Sequence, residues 1–168
     1  PGPLPRDKRL LIRELAARER RIIGMAQAVG VLIREDGTSV VLPGALESLR
    51  EDLEGAATLI DDMQIGPTTQ ALQADIERTL SGLVEAFRLE RDERAKDPGR
   101  PASDAEERSD GQPPLVPALA ELRIMRTLQR NLNLATKRLD VTRGEDGALP
   151  PEAAGNLNRL QRRQGELK

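Results

Sequence analysis

Cysteine, histidine, tryptophan and tyrosine are all missing from this chain of 168 residues, and phenylalanine occurs once, at Phe87. Each absence excludes chemistry. Without cysteine there is no disulfide and no thiolate nucleophile. Without cysteine and histidine there is no ordinary zinc site, no imidazole acid–base pair and no axial haem ligand of these types. One aromatic ring is too little for a base-stacking platform.

Long apolar runs are also missing. The longest uncharged apolar run is Ile22 to Ile33, twelve residues with Gln27 and two glycines inside it. A membrane-spanning helix needs about 20, so the stretch reads as a core helix. No signal peptide is recognisable, and the opening on Pro1 fits a processed chain or a piece of a larger protein. Phosphate-binding glycine loops are absent as well. The acidic pairs Glu51-Asp52, Asp61-Asp62 and Asp92-Glu93 are sequence neighbours. Neighbours on a helix point about 100° apart and do not chelate by themselves. They match no calcium-loop spacing and read as solvated helix faces. No catalytic, cofactor-binding or metal-binding residue is assigned, and the chain is read as not an enzyme. An enzyme built from this composition would need carboxylates of different helices gathered in one closed pocket.

What is present is charge and aliphatic carbon. Hydrophobic residues make up 38% of the chain and charged residues 32%. Leu, Ile, Val, Ala and Met must therefore supply the core, at about 1.5–3 kcal/mol for each large side chain fully buried. A slender bundle, or a partner that completes the burial, follows from so thin a supply. The net charge of −2 divides unevenly: +3 over residues 1–42, −7 over 43–97, −2 over 98–114 and +4 over 115–168. Basic ends folding back on an acidic middle is the plain reading. An acidic partner facing the basic C-terminal part is the sharper one.

The hydrophobic period is helical throughout. A first helix is expected from about Arg6 to Ile33, with Leu11, Leu15, Ile22, Met25, Val29 and Leu32 on one seam and Arg18 in the missing slot. Turn residues Glu35 to Ser39 end it. Val40-Val41-Leu42 reads as an extended connection, and Pro43 as the start of a second helix. That helix carries an unbroken seam of Leu46, Leu49, Leu53, Ala56, Ile60 and Met63. Gly66 and Pro67 separate it from a third helix bearing Leu72, Ile76, Leu80, Leu83 and Phe87 and reaching about Ala95. A fourth, from about Val116 to Thr142, places Leu122, Met125, Leu132 and Leu139 on a seam interrupted by Gln129 and Thr136. Pro151 opens a last helix with Leu157, Leu160 and Leu167.

The expected fold is all-α: an elongated, antiparallel, coiled-coil-like bundle of about five helices. Residues 6–96 form a three-helix unit, 97–114 a flexible Pro/Gly/charged linker, and 115–168 a helical hairpin that packs back on the first unit. The candidate partner-binding residues are Arg123, Arg126, Arg130, Lys137 and Arg138, a basic stripe beside the fourth seam.

Two stretches carry a resemblance. One is Glu35-Asp36-Gly37-Thr38-Ser39-Val40-Val41-Leu42-Pro43 leading into Leu49-Arg50-Glu51-Asp52-Leu53 and on to Gly66-Pro67-Thr68-Thr69-Gln70-Ala71-Leu72-Gln73. The other is Pro117-Ala118-Leu119-Ala120-Glu121-Leu122-Arg123-Ile124-Met125-Arg126, with Leu128-Gln129, Asn133 and Thr136. Both resemble segments of long, uncharacterised, all-helical bacterial proteins, often envelope-associated. The resemblance implies a bacterial envelope or periplasmic setting and no catalytic residue or ligand. The functional expectation is a non-catalytic structural or protein-interaction module of a larger protein or complex. Its partner is a protein, or another copy through helical seams. The alternative is a binder of nucleic acid or another polyanion through the basic stripe. That alternative lacks interleaved aromatics, a binding motif and an overall basic charge.

Overall fold

The computed structural model describes residues 5–96, 115–141, 143, 148 and 151–166. The linker at 97–114, the loop between the last two helices apart from residues 143 and 148, and the side chain of Arg159 lie outside the described residues. Five helices and no strand occur among the described residues: α1 (Arg6–Asp36), α2 (Val41–Asp61), α3 (Pro67–Lys96), α4 (Ala118–Val141) and α5 (Pro151–Glu166). The all-α bundle expected from the period is the fold.

Helix α2 is the hub. It packs on α1, α3 and α4, and its seam is the best-buried surface of the molecule, with Leu53 and Ala56 fully inaccessible and Ile60 nearly so. All of its expected seam residues point inward except Met63, which is half-buried at the helix end. Val116, just before α4, and Ala120 and Ile124 of α4 join the same cluster and meet Leu46, Leu49 and Leu53 within one continuous core.

The α1–α2 pair is antiparallel. Ile12 and Ala16 near the start of α1 meet Ile60 near the end of α2, while Ile33 belongs to the cluster around Leu42 and Leu46. The seam that α1 buries is not the expected one. Ile12, Ala16, Ala26, Gly30 and Ile33 face inward, with Glu19 and Ile23 half-buried in the intervening slots. Leu11, Leu15, Met25, Val29 and Leu32, one residue earlier in each turn, face solvent. Both rows repeat at 3–4 spacing, so periodicity alone does not rank them. The row turned inward is the smaller one, with Ala16, Ala26 and Gly30 between its two isoleucines.

The extended connection at residues 40–42 is also corrected. Helix α2 begins at Val41, and Val40 already has helical φ and ψ. Pro43 falls within the first turn, where its missing N–H has no intrahelical partner to lose. The helix starts early because its first donors are taken from outside. The Ser39 hydroxyl accepts the Leu42 N–H at 3.2 Å. Glu121 of α4 accepts the Val40 and Val41 N–H groups at 2.7 and 3.0 Å, and the Ser39 hydroxyl as well.

At its other end α2 closes in a Schellman turn. The Met63 N–H donates to the Ile60 carbonyl and the Gln64 N–H to the Leu59 carbonyl. Met63, with φ of 58°, takes the left-handed position that Gly66 was expected to serve. Its side chain packs on Ile12, Ala16 and Ile60, which offsets the backbone cost of a non-glycine residue there.

Helices α3 and α4 run antiparallel through a ladder of contacts: Arg123 to Glu90 and Glu93, Thr127 to Gly82, Asn131 to Thr79 and Arg138 to Asp75. The buried row of α4 is Ala120, Ile124, Leu132 and Leu139. The expected seam residues Leu122 and Met125 are exposed, as is Thr136, and Gln129 is half-buried with its amide on Asn133. Those polar breaks therefore sit beside the contact surface rather than inside it. Phe87 is exposed too, and Ala86 takes the inward place on α3.

Candidate functional site

The five residues of the basic stripe divide into two groups. Arg123 Nη2 lies 2.5 Å from Glu93 Oε1, and its Nη1 lies 3.5 Å from Glu90 Oε2. Arg138 Nη2 lies 2.5 Å from Asp75 Oδ1, a carboxylate it shares with Arg78. Burial first, and then the neighbouring Arg138 charge, lower the Arg78 guanidinium below its ordinary value. Arg123 and Arg138 are thus committed to holding α4 against α3. Arg126, Arg130 and Lys137 are exposed and make no ion pair among the described residues. They occupy one face of α4, four and seven residues apart, turned away from the core.

Pairing of basic ends with the acidic middle extends across the described residues. Arg20 of α1 meets Asp61. On α5, Arg162 reaches Glu51 at 3.0 Å and Arg163 reaches Asp52 at 2.7 Å, while Arg163 also donates to the Ser48 carbonyl.

The pair Asp52–Arg163 borders a cavity of about 220 Å³ between α2, α3, α4 and α5. Its wall is mostly aliphatic, with Leu49, Leu128, Leu132 and Leu160; Asp52, Asp75, Thr79, Asn131 and Arg163 supply its polar part. Two carboxylates of different helices therefore border one hollow, the geometry an enzyme of this composition would need. Their chemistry is restrained by their partners. Asp52 carries Arg163, and Asp75 carries Arg78 and Arg138. Asn131 donates to the Thr79 hydroxyl at 3.1 Å, and that hydroxyl donates to the Asp75 carbonyl, so no free nucleophile faces the hollow from there. No group of acidic residues with metal-binding geometry occurs among the described residues.

The remaining feature is the outer seam of α1. Leu11, Met25 and Leu32 are 59, 55 and 58% exposed, and Leu15 and Val29 also face solvent. With half-buried Ile22 they form a row from Leu11 to Leu32, about 32 Å long at 1.5 Å per residue. Only Arg18 breaks it, and Arg18 is drawn back by an ion pair to Glu14 at 2.7 Å.

The sequence pointed to Arg123, Arg126, Arg130, Lys137 and Arg138 as one basic stripe; the structure leaves Arg126, Arg130 and Lys137 exposed and engages Arg123 and Arg138 with carboxylates of α3. It gave no notice that α1 turns its larger apolar row outward. Asp52 did carry a signal. It lies in the row Ala45, Leu49, Asp52, Ala56, a charge in an otherwise apolar stripe, and it is 4% exposed.

No helix among the described residues is long and apolar enough to cross a membrane. In comparisons with known proteins the chain matches no family model, no curated protein and no solved structure.

Proposed function

We propose that the chain is a non-catalytic interaction module whose docking surface is the outer seam of α1. The observation that carries this reading is the row Leu11, Leu15, Met25, Val29 and Leu32, apolar, in heptad spacing and open to solvent on a helix that packs chiefly on α2. Isolated exposed leucines need no explanation, whereas a contiguous apolar strip points to a contact surface. Covering five half-exposed side chains is worth about 5 kcal/mol, taking half of about 1.5–3 kcal/mol for each. The entropic cost of association is of the same order, about 4–15 kcal/mol. The seam alone thus supports a reversible contact. The bound arginines around Asp52 and Asp75 favour a structural role for the cavity.

The test is cross-linked affinity capture from the native cell at low and moderate salt with nuclease, comparing the unaltered chain with Met25→Glu. A protein partner that survives salt and nuclease and is lost in Met25→Glu is the expected result. Capture that Met25→Glu leaves unchanged overturns the assignment of this surface.

A second reading rests on Arg126, Arg130 and Lys137. Three cations with no ion pair among the described residues, on one helical face, suit a polyanion, and binding there would weaken steeply with salt. The variant that tests it is Arg126→Glu with Arg130→Glu, since both side chains are exposed and make no ion pair among the described residues. Changing Arg123 instead would break its ion pairs to Glu90 and Glu93. Nucleic acid retained at low salt and released by this double variant supports the reading; no retention at low salt overturns it.

A further inference from the structure

The geometry points to a second copy of this chain as the occupant of the α1 outer seam, docked antiparallel. The inference rests on the interaction reading above and names its partner. Segments of the chain outside the described residues cannot fill the seam. Residues 97–114 contain no Leu, Ile, Val, Met or Phe, and the other such segments are a few residues each.

The seam is built to pair with itself. In heptad terms Leu15, Ile22 and Val29 hold the a positions, and Leu11, Arg18, Met25 and Leu32 the d positions. The seam thus has an apolar residue at each of these a positions and at three of the four d positions, a continuous strip for a second helix to cover. Charge then selects the orientation. In a parallel, in-register pair Arg18 faces Arg18 of the second copy, a contact between like charges in the middle of the seam. An antiparallel pair matches a layers with d layers and removes the central clash. Two antiparallel registers keep six layers. One sets Arg18 against Ile22, which leaves the two arginines a single turn apart and brings Arg21 to face Arg21. The other sets Leu15 against Leu32, Ile22 against Met25 and Arg18 against Val29. The two arginines are then eleven residues apart, about 16 Å along the axis. Each can lay its aliphatic stem across the Val29 of the other copy while its charge reaches water. This register carries one rim contact between like charges, Glu14 with Glu35, at the wet end of the seam. It is the register assigned.

The absence of cysteine makes the test direct, because any introduced thiol is the only one. Leu15→Cys and Leu32→Cys are prepared separately, one isotopically labelled, then mixed and treated with a short bismaleimide. The expected main product is the mixed dimer joining position 15 of one copy to position 32 of the other. A dominant 15-to-15 product would show a parallel pair and overturn the proposal. Sedimentation velocity of the unaltered chain should show a dimer that dissociates on dilution. Arg18→Leu should tighten it at least tenfold, and Met25→Glu should abolish it with helicity retained by circular dichroism. A monomer at every concentration overturns the second copy as occupant. In that case the capture comparison separates the two claims: a heterologous partner lost in Met25→Glu preserves the interaction module, and one unaffected removes both.

Discussion

Glu121 caps a helix that begins 80 residues before it in the chain. Its carboxylate oxygen accepts two backbone N–H groups at the start of α2, which otherwise lack intrahelical partners. It also places negative charge at the positive end of the α2 dipole. The same residue lies in the first turn of α4, so one side chain serves two helix starts and ties them together. Glu121→Ala should destabilise the fold by about 1–3 kcal/mol, the cost of leaving such donors unsatisfied. Glu121→Gln, which keeps an acceptor but loses the charge, should cost less; urea denaturation of both variants checks the order. Glu47 offers a smaller effect of known sign. The hydrogen bond from Arg50 holds its carboxyl below the ordinary value. A depressed folded pKa contributes stability above the unfolded pKa, near 4.5, and that contribution disappears as pH falls through the folded value. Because the group is largely exposed, Glu47→Gln should remove only a slight part of the acid-side slope of stability between about pH 5 and 3, measured by thermal melts across that range.

Among the elements, the α3–α4 contact turns on one glycine. A Cβ on Gly82 would overlap the Thr127 Cγ2 and sit 3.2 Å from its Cβ. Thr127 cannot turn away freely, since its hydroxyl is bonded to the Arg123 carbonyl. Gly82→Ala should therefore destabilise the protein, although alanine favours an isolated helix by about 1 kcal/mol. With Thr127→Ala added, the overlap with Cγ2 goes and most of the loss should be recovered, the 3.2 Å Cβ contact remaining; a double-mutant cycle by chemical denaturation reads this coupling. The outer side of α4 gives a contrasting expectation. Thr136 is exposed and Gln129 only half-buried. Gln129→Leu with Thr136→Leu should then leave thermal stability within about 0.5 kcal/mol, the usual range for surface changes. A large rise in melting temperature would return these positions to a packed seam.

At the level of the whole molecule, charge matching joins the basic ends to the acidic middle, and Asp52–Arg163 is its most buried link among the pairs described here. Removing the guanidinium leaves a buried carboxylate without that partner. The loss is limited because α5 can lift and let Asp52 hydrate, so Arg163→Met should cost about 1–3 kcal/mol rather than the ~3–5 of a fully buried pair. Asp52→Asn added to Arg163→Met should recover part of it. Hydrogen exchange localised to α5 would show whether lifting is the route.

Composition and period together determined the class of this protein. An aliphatic, proline-punctuated chain with apolar residues every three to four positions has no economical fold other than packed helices, and the α2 seam was legible residue by residue because only one apolar row runs along that helix. The opposite signs of middle and ends likewise anticipated the ion pairs between them. Tertiary structure decided what periodicity leaves degenerate. Helix α1 carries two apolar rows one residue apart, and which of them is buried was decided by its packing on α2 and not by the period of α1 itself. Where α2 begins was hidden for a similar reason, since its cap comes from Glu121, and no local pattern at residues 39–43 reports a carboxylate donated by another helix. The cavity and its two neutralised acids belong to the same category: Asp52 could be singled out as a charge in an apolar row, but Arg163 became its partner only through the docking of α5.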